Sequence, residues 1–185
     1  LCRKTGITPP WGLMTGIRPV KKVTELMAKG LSREEIENTL RKRYELSDSK
    51  LSLAYETAVN QQPILDSIDT SAASLYVSIP FCPTRCAYCS FVSYSSPKLL
   101  SLIPDYLNRL RIDIKNTFDI IRELGIRVST VYIGGGTPTT LDEIQLEYLM
   151  NAVCENADVS SLDEFTVEAG RPDTINKAKM SILAK

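Results

Sequence analysis

Apolar positions along the chain change their period near residue 74. Before it they recur at helical spacing. Ile36, Leu40 and Tyr44 fall four apart, and Leu51, Ala54, Tyr55, Ala58 and Val59 mark one face of a further segment. This spacing predicts helices over residues 20–29, after Ser32, and over residues 49–61. Gly30 is placed to end the first as a left-handed C′ residue. Ser32 caps the second, with Glu34, Glu35 and Glu37 in its opening turns, and Pro63 stops the third. The first 20 residues, broken by Pro9-Pro10-Trp11-Gly12 and by Gly16-Ile17-Arg18-Pro19, read as irregular. Residues 66–73 read as a polar linker.

From Ser74 the pattern alternates strand and helix. Residues 75–79 form a short apolar run of the kind seen in parallel strands buried on both faces. Ile103, Leu107, Leu110, Ile114, Phe118 and Ile121 line one face of a long helix, with Pro104 in its first turn and Gly125 at its end. A second strand over residues 128–133 follows. The run Thr140-Leu141-Asp142-Glu143 reads as a capping box opening a helix that buries Leu146, Leu149, Met150 and Val153. Glu164–Val167 is the third strand, and another helix is expected to begin near Asp173. Strands alternating with amphipathic helices imply an α/β fold with a parallel sheet, preceded by a small helical N-terminal region. We expect two domains, residues 1–72 and 73–185. The chain opens without Met and stops at Lys185 inside a helical pattern, which reads as a piece of a longer protein.

Composition adds little to this picture: 43% hydrophobic and 24% charged residues are ordinary for a globular chain. No 18-residue apolar run and no signal-peptide pattern occur, so a cytoplasmic, reducing location without a membrane span is expected. Net charge is zero but unevenly spread. Residues 1–50 carry 11 Lys/Arg against 6 Asp/Glu, and residues 51–185 carry 11 against 16. Solvated helix faces account for the basic half; the alternative is attraction of a polycarboxylate or RNA. Trp11 and Tyr44 are its only aromatics, too few for a stacking nucleic-acid platform.

The candidate chemistry begins after the first strand, in Cys82-Pro83-Thr84-Arg85-Cys86-Ala87-Tyr88-Cys89. The spacing is C-x3-C-x2-C. A closed zinc site takes four Cys or His ligands, and the chain has no histidine. Fully ligated [4Fe–4S] clusters also use four cysteines. Cys2 and Cys154 lie 80 residues before and 65 after the triplet, and Cys154 falls in an apolar helical pattern that reads as core. Three thiolates on one loop point to a cubane cluster with one iron open. A zinc site completed from a distant Asp or Cys, or a redox pair with a bystander, would each leave part of the triplet unexplained.

Two further motifs follow the other strands. Gly134-Gly135-Gly136-Thr137 lies between a strand and a helix, where missing side chains let backbone approach a ligand; a tight turn is the plainer reading. The segment lacks the Lys-Ser/Thr ending of a phosphate loop. Glu168 ends the third strand with a charge, either to accept hydrogen bonds from a ligand or to pair with an Arg or Lys. In parallel α/β folds ligands gather at the C-terminal ends of the strands, and all three motifs fall there.

Tyr76-Val77-Ser78-Ile79-Pro80-Phe81 before Cys82, then Cys86, Tyr88 and Cys89, then Gly134-Gly135-Gly136-Thr137-Pro138-Thr139, resemble the radical S-adenosylmethionine (radical SAM) enzymes. The stretch from Phe165 to Asp173, with Pro10-Trp11-Gly12 and Thr15-Gly16-Ile17-Arg18-Pro19, is similar to one branch of the oxygen-independent coproporphyrinogen III oxidase/dehydrogenase group. The resemblance implies the first half of a partial (β/α)6 barrel. It implies a [4Fe–4S] cluster held by Cys82, Cys86 and Cys89, with S-adenosylmethionine on the open iron. It implies cofactor contacts from Tyr76, Tyr88, Gly135, Gly136, Thr137 and Glu168, with the glycines and Thr137 near the methionine part and Tyr88 near the adenine. The implied activity is oxidative decarboxylation of two propionates of a porphyrinogen substrate, coproporphyrinogen III, fed by a flavodoxin- or ferredoxin-like electron donor. Phe91 stands where the decarboxylating members carry a fourth cysteine, a substitution shared with relatives that act as haem chaperones. A haem chaperone, or another radical SAM reaction such as methyl transfer, is therefore the alternative.

Overall fold

A computed structural model describes residues 2–14, 18–91 and 93–185. Thr15, Gly16 and Ile17 of the upstream motif and the side chain of Cys2 lie outside the described residues. The chain divides into two compact units, Leu1–Ile68 and Asp69–Lys185.

The first unit is helical: α1 (Cys2–Thr5), α2 (Pro19–Met27), α3 (Arg33–Tyr44) and α4 (Asp48–Asp66). Its core is Val23, Ile36, Leu40, Leu46, Leu51, Ala54 and Ala58, with Trp11 and Tyr44 packed against it. Ser32 caps α3 in a reciprocal box with Glu35, as its position before a polar first turn predicts. Three expectations need correction. The opening stretch is not wholly irregular, since it contains α1 and α2 starts at Pro19, whose fixed φ suits a first helical position. Pro63 does not stop α4, which runs one turn further to Asp66. Proline costs a helix its bond to the carbonyl four residues back, but only one turn follows, and the Ser67 N–H closes it on the Pro63 and Ile64 carbonyls. Val59 is exposed rather than on the packed face.

The second unit holds β1 (Ala73–Ile79), α5 (Pro97–Leu100), α6 (Ile103–Glu123), β2 (Val128–Gly135), α7 (Glu143–Cys154), β3 (Glu164–Val167) and α8 (Lys177–Leu183). The sheet is parallel in the order β1-β2-β3, with Tyr76 opposite Tyr132 and Tyr132 opposite Thr166. One sheet face supplies Val77, Ile79, Val131 and Ile133 to a core completed by Leu107, Ile114 and Phe118 of α6 and Leu146, Leu149 and Val153 of α7. Burial in β1 alternates, contrary to the continuous burial expected of it. Tyr76 is 58% exposed on the opposite face. That face carries Tyr76 and Tyr132, stacked with ring centroids 5.6 Å apart.

Three more corrections concern this unit. The box that opens α7 is Asp142 with Gln145, not one begun by Thr140, which lies in a 3₁₀ turn over Pro138–Thr140. The last helix begins at Lys177 under an Asn176 cap; Asp173 lies in a 3₁₀ turn, Pro172–Thr174. Cys154 is exposed, because it ends α7 one residue past the buried Val153.

Candidate functional site

The three strands release their loops at one edge of the sheet, and the site is built from those loops. After β1, Phe81 anchors the cysteine loop: its ring is buried between Tyr106, edge-on at 5.3 Å, and Tyr94 at 6.0 Å. The Cys82 N–H donates to the Tyr94 carbonyl, and the Tyr94 N–H donates to that of Pro80. A turn at the Cys86 carbonyl receives the Cys89 N–H. Four cysteines of the described residues are free thiols; Cys82 is buried, and Cys86 and Cys89 are half-buried.

The loop after β2 lies against the first. The Gly136 N–H donates to the Ile79 carbonyl and the Thr137 N–H to the Phe81 carbonyl, both at 2.8 Å. Gly135 has φ +113°, open to glycine and strained for other residues, and a Cβ there would meet Ser78 Oγ at 2.9 Å. A Cβ on Gly136 would meet the Phe81 carbonyl oxygen at 2.7 Å and Cys82 Sγ at 2.9 Å. The Thr137 hydroxyl is 3.4 Å from Cys82 Sγ.

The loop after β3 completes the ring. Glu168 accepts a hydrogen bond from the Tyr132 hydroxyl at 2.6 Å, a partner different from the Arg or Lys considered from sequence. The carboxylate beside it holds the Tyr132 phenol above its ordinary pKa. Arg171 reaches across to the cysteine loop, where Nη1 donates to the Thr84 carbonyl at 3.2 Å and to Cys86 Sγ at 3.5 Å. Its Nε and Nη2 fork onto Asp173 at 3.0 and 2.8 Å, holding that carboxyl below its ordinary range. Lys179, 8% exposed, donates to the Thr139 and Thr174 carbonyls at 2.8 and 3.1 Å. The Thr139 and Thr174 hydroxyls meet at 2.6 Å.

These loops enclose a cavity of about 510 Å³ lined by all three cysteines with Tyr88, Gly136, Thr137, Glu168 and Arg171. A neighbouring cavity of about 470 Å³ takes Tyr76, Ser78, Phe91 and Gly135, and shares Gly136 and Glu168 with the first. The residues singled out from sequence thus fall into two adjoining cavities. Tyr88 is 90% exposed at the mouth of the first, and hydrogen bonding to Cys86 raises its phenol pKa. Sequence reasoning assigned no role to Arg171 and passed over Ser93, Tyr132 and Lys179. Arg171 sits three residues after Glu168 on the same loop, a signal that was available. Lys179 reads as an ordinary helix lysine.

The α/β unit thus delivers three thiols, a glycine turn and a carboxylate from the ends of its parallel strands to one cavity. The chain matches the description of the Radical SAM superfamily over residues 76–183. It belongs to that superfamily, and its three-stranded sheet is a portion of a partial α/β barrel. It is 36% identical over 184 residues, 98% of its length, to the oxygen-independent coproporphyrinogen-III oxidase-like protein HemZ of Bacillus subtilis (strain 168). It is 40% identical over 114 residues, 60% of its length, to the heme chaperone HemW of the same organism. To HemW of Escherichia coli (strain K12) it is 36% identical over 104 residues, 55% of its length. The chain spans 37% of the length of HemZ and 28% and 26% of the two HemW proteins. No solved structure gave a significant match. Among the described residues, no helix is long and apolar enough to cross a membrane.

Membership implies a [4Fe–4S] cluster and S-adenosylmethionine, and the cavity fits such a group. Its donors are three free thiols on one loop. A cubane takes each thiolate on its own iron, so separate thiols on one loop are donors of the kind it needs. The missing side chain at Gly136 keeps the space beside Cys82 Sγ clear. Ser93 Oγ, buried and without a hydrogen-bond partner, is in the cavity lining, where a bound group would satisfy it.

Proposed function

We infer that Cys82, Cys86 and Cys89 hold a [4Fe–4S] cluster, and that Gly135, Gly136, Thr137, Glu168, Tyr88 and Tyr76 receive S-adenosylmethionine across the two adjoining cavities. The observation that carries this reading is the delivery of three thiols, with no fourth among the described residues, to one cavity bounded by glycine backbone and a carboxylate. A bound cluster with S-adenosylmethionine supplies one electron and, from cleavage of the sulfonium, the radical that takes a hydrogen atom from substrate. The chain's own residues place and shield it. Glu168, held by the Tyr132 hydroxyl, presents its carboxylate to the shared wall, where it accepts from ammonium or ribose hydroxyl groups. Gly136 and Thr137 offer close backbone approach beside Cys82.

The similarity to HemZ over nearly the whole chain supports a porphyrinogen as substrate. On this reading the protein oxidatively decarboxylates two propionates of coproporphyrinogen III to vinyl groups and carbon dioxide, with S-adenosylmethionine as the two-electron oxidant, cleaved to methionine and 5′-deoxyadenosine, and a flavodoxin- or ferredoxin-like protein supplying the electron that starts each cleavage. The similarity to HemW supports a second reading, haem delivery without turnover; with no histidine in this chain, an axial ligand from it would be Cys, Met or Tyr. Anaerobic incubation of the full-length protein with coproporphyrinogen III, S-adenosylmethionine and reductant separates them. Protoporphyrinogen IX formation is expected, whereas tight haem binding with no turnover would favour the chaperone. A Cys86→Ala variant that kept full iron and activity would overturn the cluster assignment itself.

A further inference from the structure

Arg171 is the cation that the loop after β3 sends to the cysteine loop. Its side chain is 21% exposed, and each of its three guanidinium nitrogens makes a hydrogen bond. Two of its nitrogens are fixed by Asp173, which leaves Nη1 aimed at the Thr84 carbonyl and Cys86 Sγ. The fork is rigid and always charged, so fixing one side fixes the direction of the other. A second polar group sits on the same set of sulfurs, the Thr137 hydroxyl 3.4 Å from Cys82 Sγ, where it can donate to a thiolate. Among the described residues no such donor reaches Cys89 Sγ; the Cys89 backbone is instead tied into the loop's own turn.

Hydrogen bonds and positive charge at a thiolate withdraw electron density from the iron it binds and so favour the reduced cluster. We propose that Arg171, oriented by Asp173, sets the reduction potential of the cluster through Cys86, and that the Arg171–Asp173 pair is a tuning device and not a substrate-binding one. This inference rests on the cluster reading above. The carboxylate of Asp173 is part of the device because it both aims the guanidinium and offsets part of its charge. The two members therefore act in opposite directions. Removing the arginine leaves the Cys86 thiolate more electron-rich and makes reduction harder. Removing the charge of Asp173 leaves the guanidinium less neutralised and makes reduction easier. A merely structural tie between the loops gives no reason for opposite signs.

The test is a midpoint-potential titration, followed by electron paramagnetic resonance, on the anaerobically reconstituted full-length protein. The variants are Arg171→Met, Arg171→Lys and Asp173→Asn, each with its iron content measured. The expected result is a more negative midpoint for Arg171→Met, a smaller shift of the same sign for Arg171→Lys, and a more positive midpoint for Asp173→Asn. Unchanged midpoints at full iron content, or shifts of one sign for Arg171→Met and Asp173→Asn, overturn the proposal while leaving the cluster reading intact. Should Arg171→Met fail to load iron, Asp173→Asn decides alone by the sign of its shift. A wild-type protein that forms no cubane under these conditions overturns the cluster reading, and the tuning role with it.

Discussion

Replacing Gly136 by alanine adds one methyl group at the tightest point between two loops. Built on the present backbone, its Cβ would lie 2.7 Å from the Phe81 carbonyl oxygen, 2.9 Å from Cys82 Sγ and 3.1 Å from the Phe81 carbonyl carbon. Comfortable contacts between such atoms lie near about 3.5–4.0 Å, so the neighbours must move by roughly half an ångström or more. They are poorly placed to do so. The Phe81 carbonyl accepts from the Thr137 N–H at 2.8 Å and faces the Thr140 hydroxyl at 3.4 Å, while the Cys82 N–H is tied to Tyr94. Overpacking a tight site costs about 1–3 kcal/mol. With backbone on two sides we expect the upper half, about 2–3 kcal/mol, which lowers a urea midpoint by about 1 M.

Gly170→Ala is the matched comparison. Gly170 lines the same cavity, but a Cβ there meets nothing within 4 Å, so its stability effect should stay within about 0.5 kcal/mol. Urea unfolding of both variants, with iron per chain after anaerobic reconstitution, reads the two expectations together. Gly136→Ala should also load less iron, because the methyl group displaces Cys82 Sγ itself. Equal midpoints and equal iron for the two alanine variants would refute the reasoning that steric contact, and not glycine content, governs this loop.

Lys179→Met keeps the bulk of a buried side chain and removes its donors, leaving the Thr139 and Thr174 carbonyls without a partner. Hydrogen bonds from a charged group are worth about 1.5–3 kcal/mol, so urea unfolding should show a loss of at least about 2 kcal/mol. Phe81→Ala empties the slot between Tyr94 and Tyr106 and should cost about 3–5 kcal/mol by the same measurement, with loss of cluster loading as the cysteine loop comes adrift. Tyr132 holds its proton more tightly folded than unfolded, because Glu168 accepts from it. The stability it contributes is therefore present below the ordinary tyrosine pKa near 10 and is lost as pH rises through the raised folded value. Tyr132→Phe should flatten that alkaline decline, and should remove one tyrosine titrating late in absorbance at 295 nm.

The elements of the strand-bearing unit were legible because their periods are local. Ile103 to Phe118 repeat at helical spacing, and the apolar runs of β1 and β2 are flanked by turn residues. That the three cysteines share one site was legible because their spacing is itself local, and all three line one cavity. The failures all come from facts that a window of sequence does not contain. Whether β1 is buried on one face or two depends on what lies beyond Tyr76 and Ser78, and burial in the strand in fact alternates. Thr140 and Asp142 both look like caps, and the choice was made by the 3₁₀ turn over Pro138–Thr140. Cys154 follows the apolar rhythm of α7 but falls at its end, one residue past the packed face. Arg171 lies 85 residues from Cys86, and only the adjacency of the loops after β1 and β3 brings them within reach.

The polar contacts at the strand ends form a closed circuit. The Phe81 carbonyl joins the loop after β1 to Thr137 and Thr140 after β2. Thr139 joins that loop to Thr174 after β3, directly and through Lys179. Arg171 returns from the third loop to Thr84 and Cys86 on the first. Parallel pairing alone brings three loops to one edge, yet it leaves each free to tilt, since the pairing of β3 with β2 ends at Val167. The circuit removes that freedom without any ligand. A thiol loop held from two sides in advance loses less conformational freedom when a group binds to it, so preorganisation strengthens binding at these three thiols without any further contact.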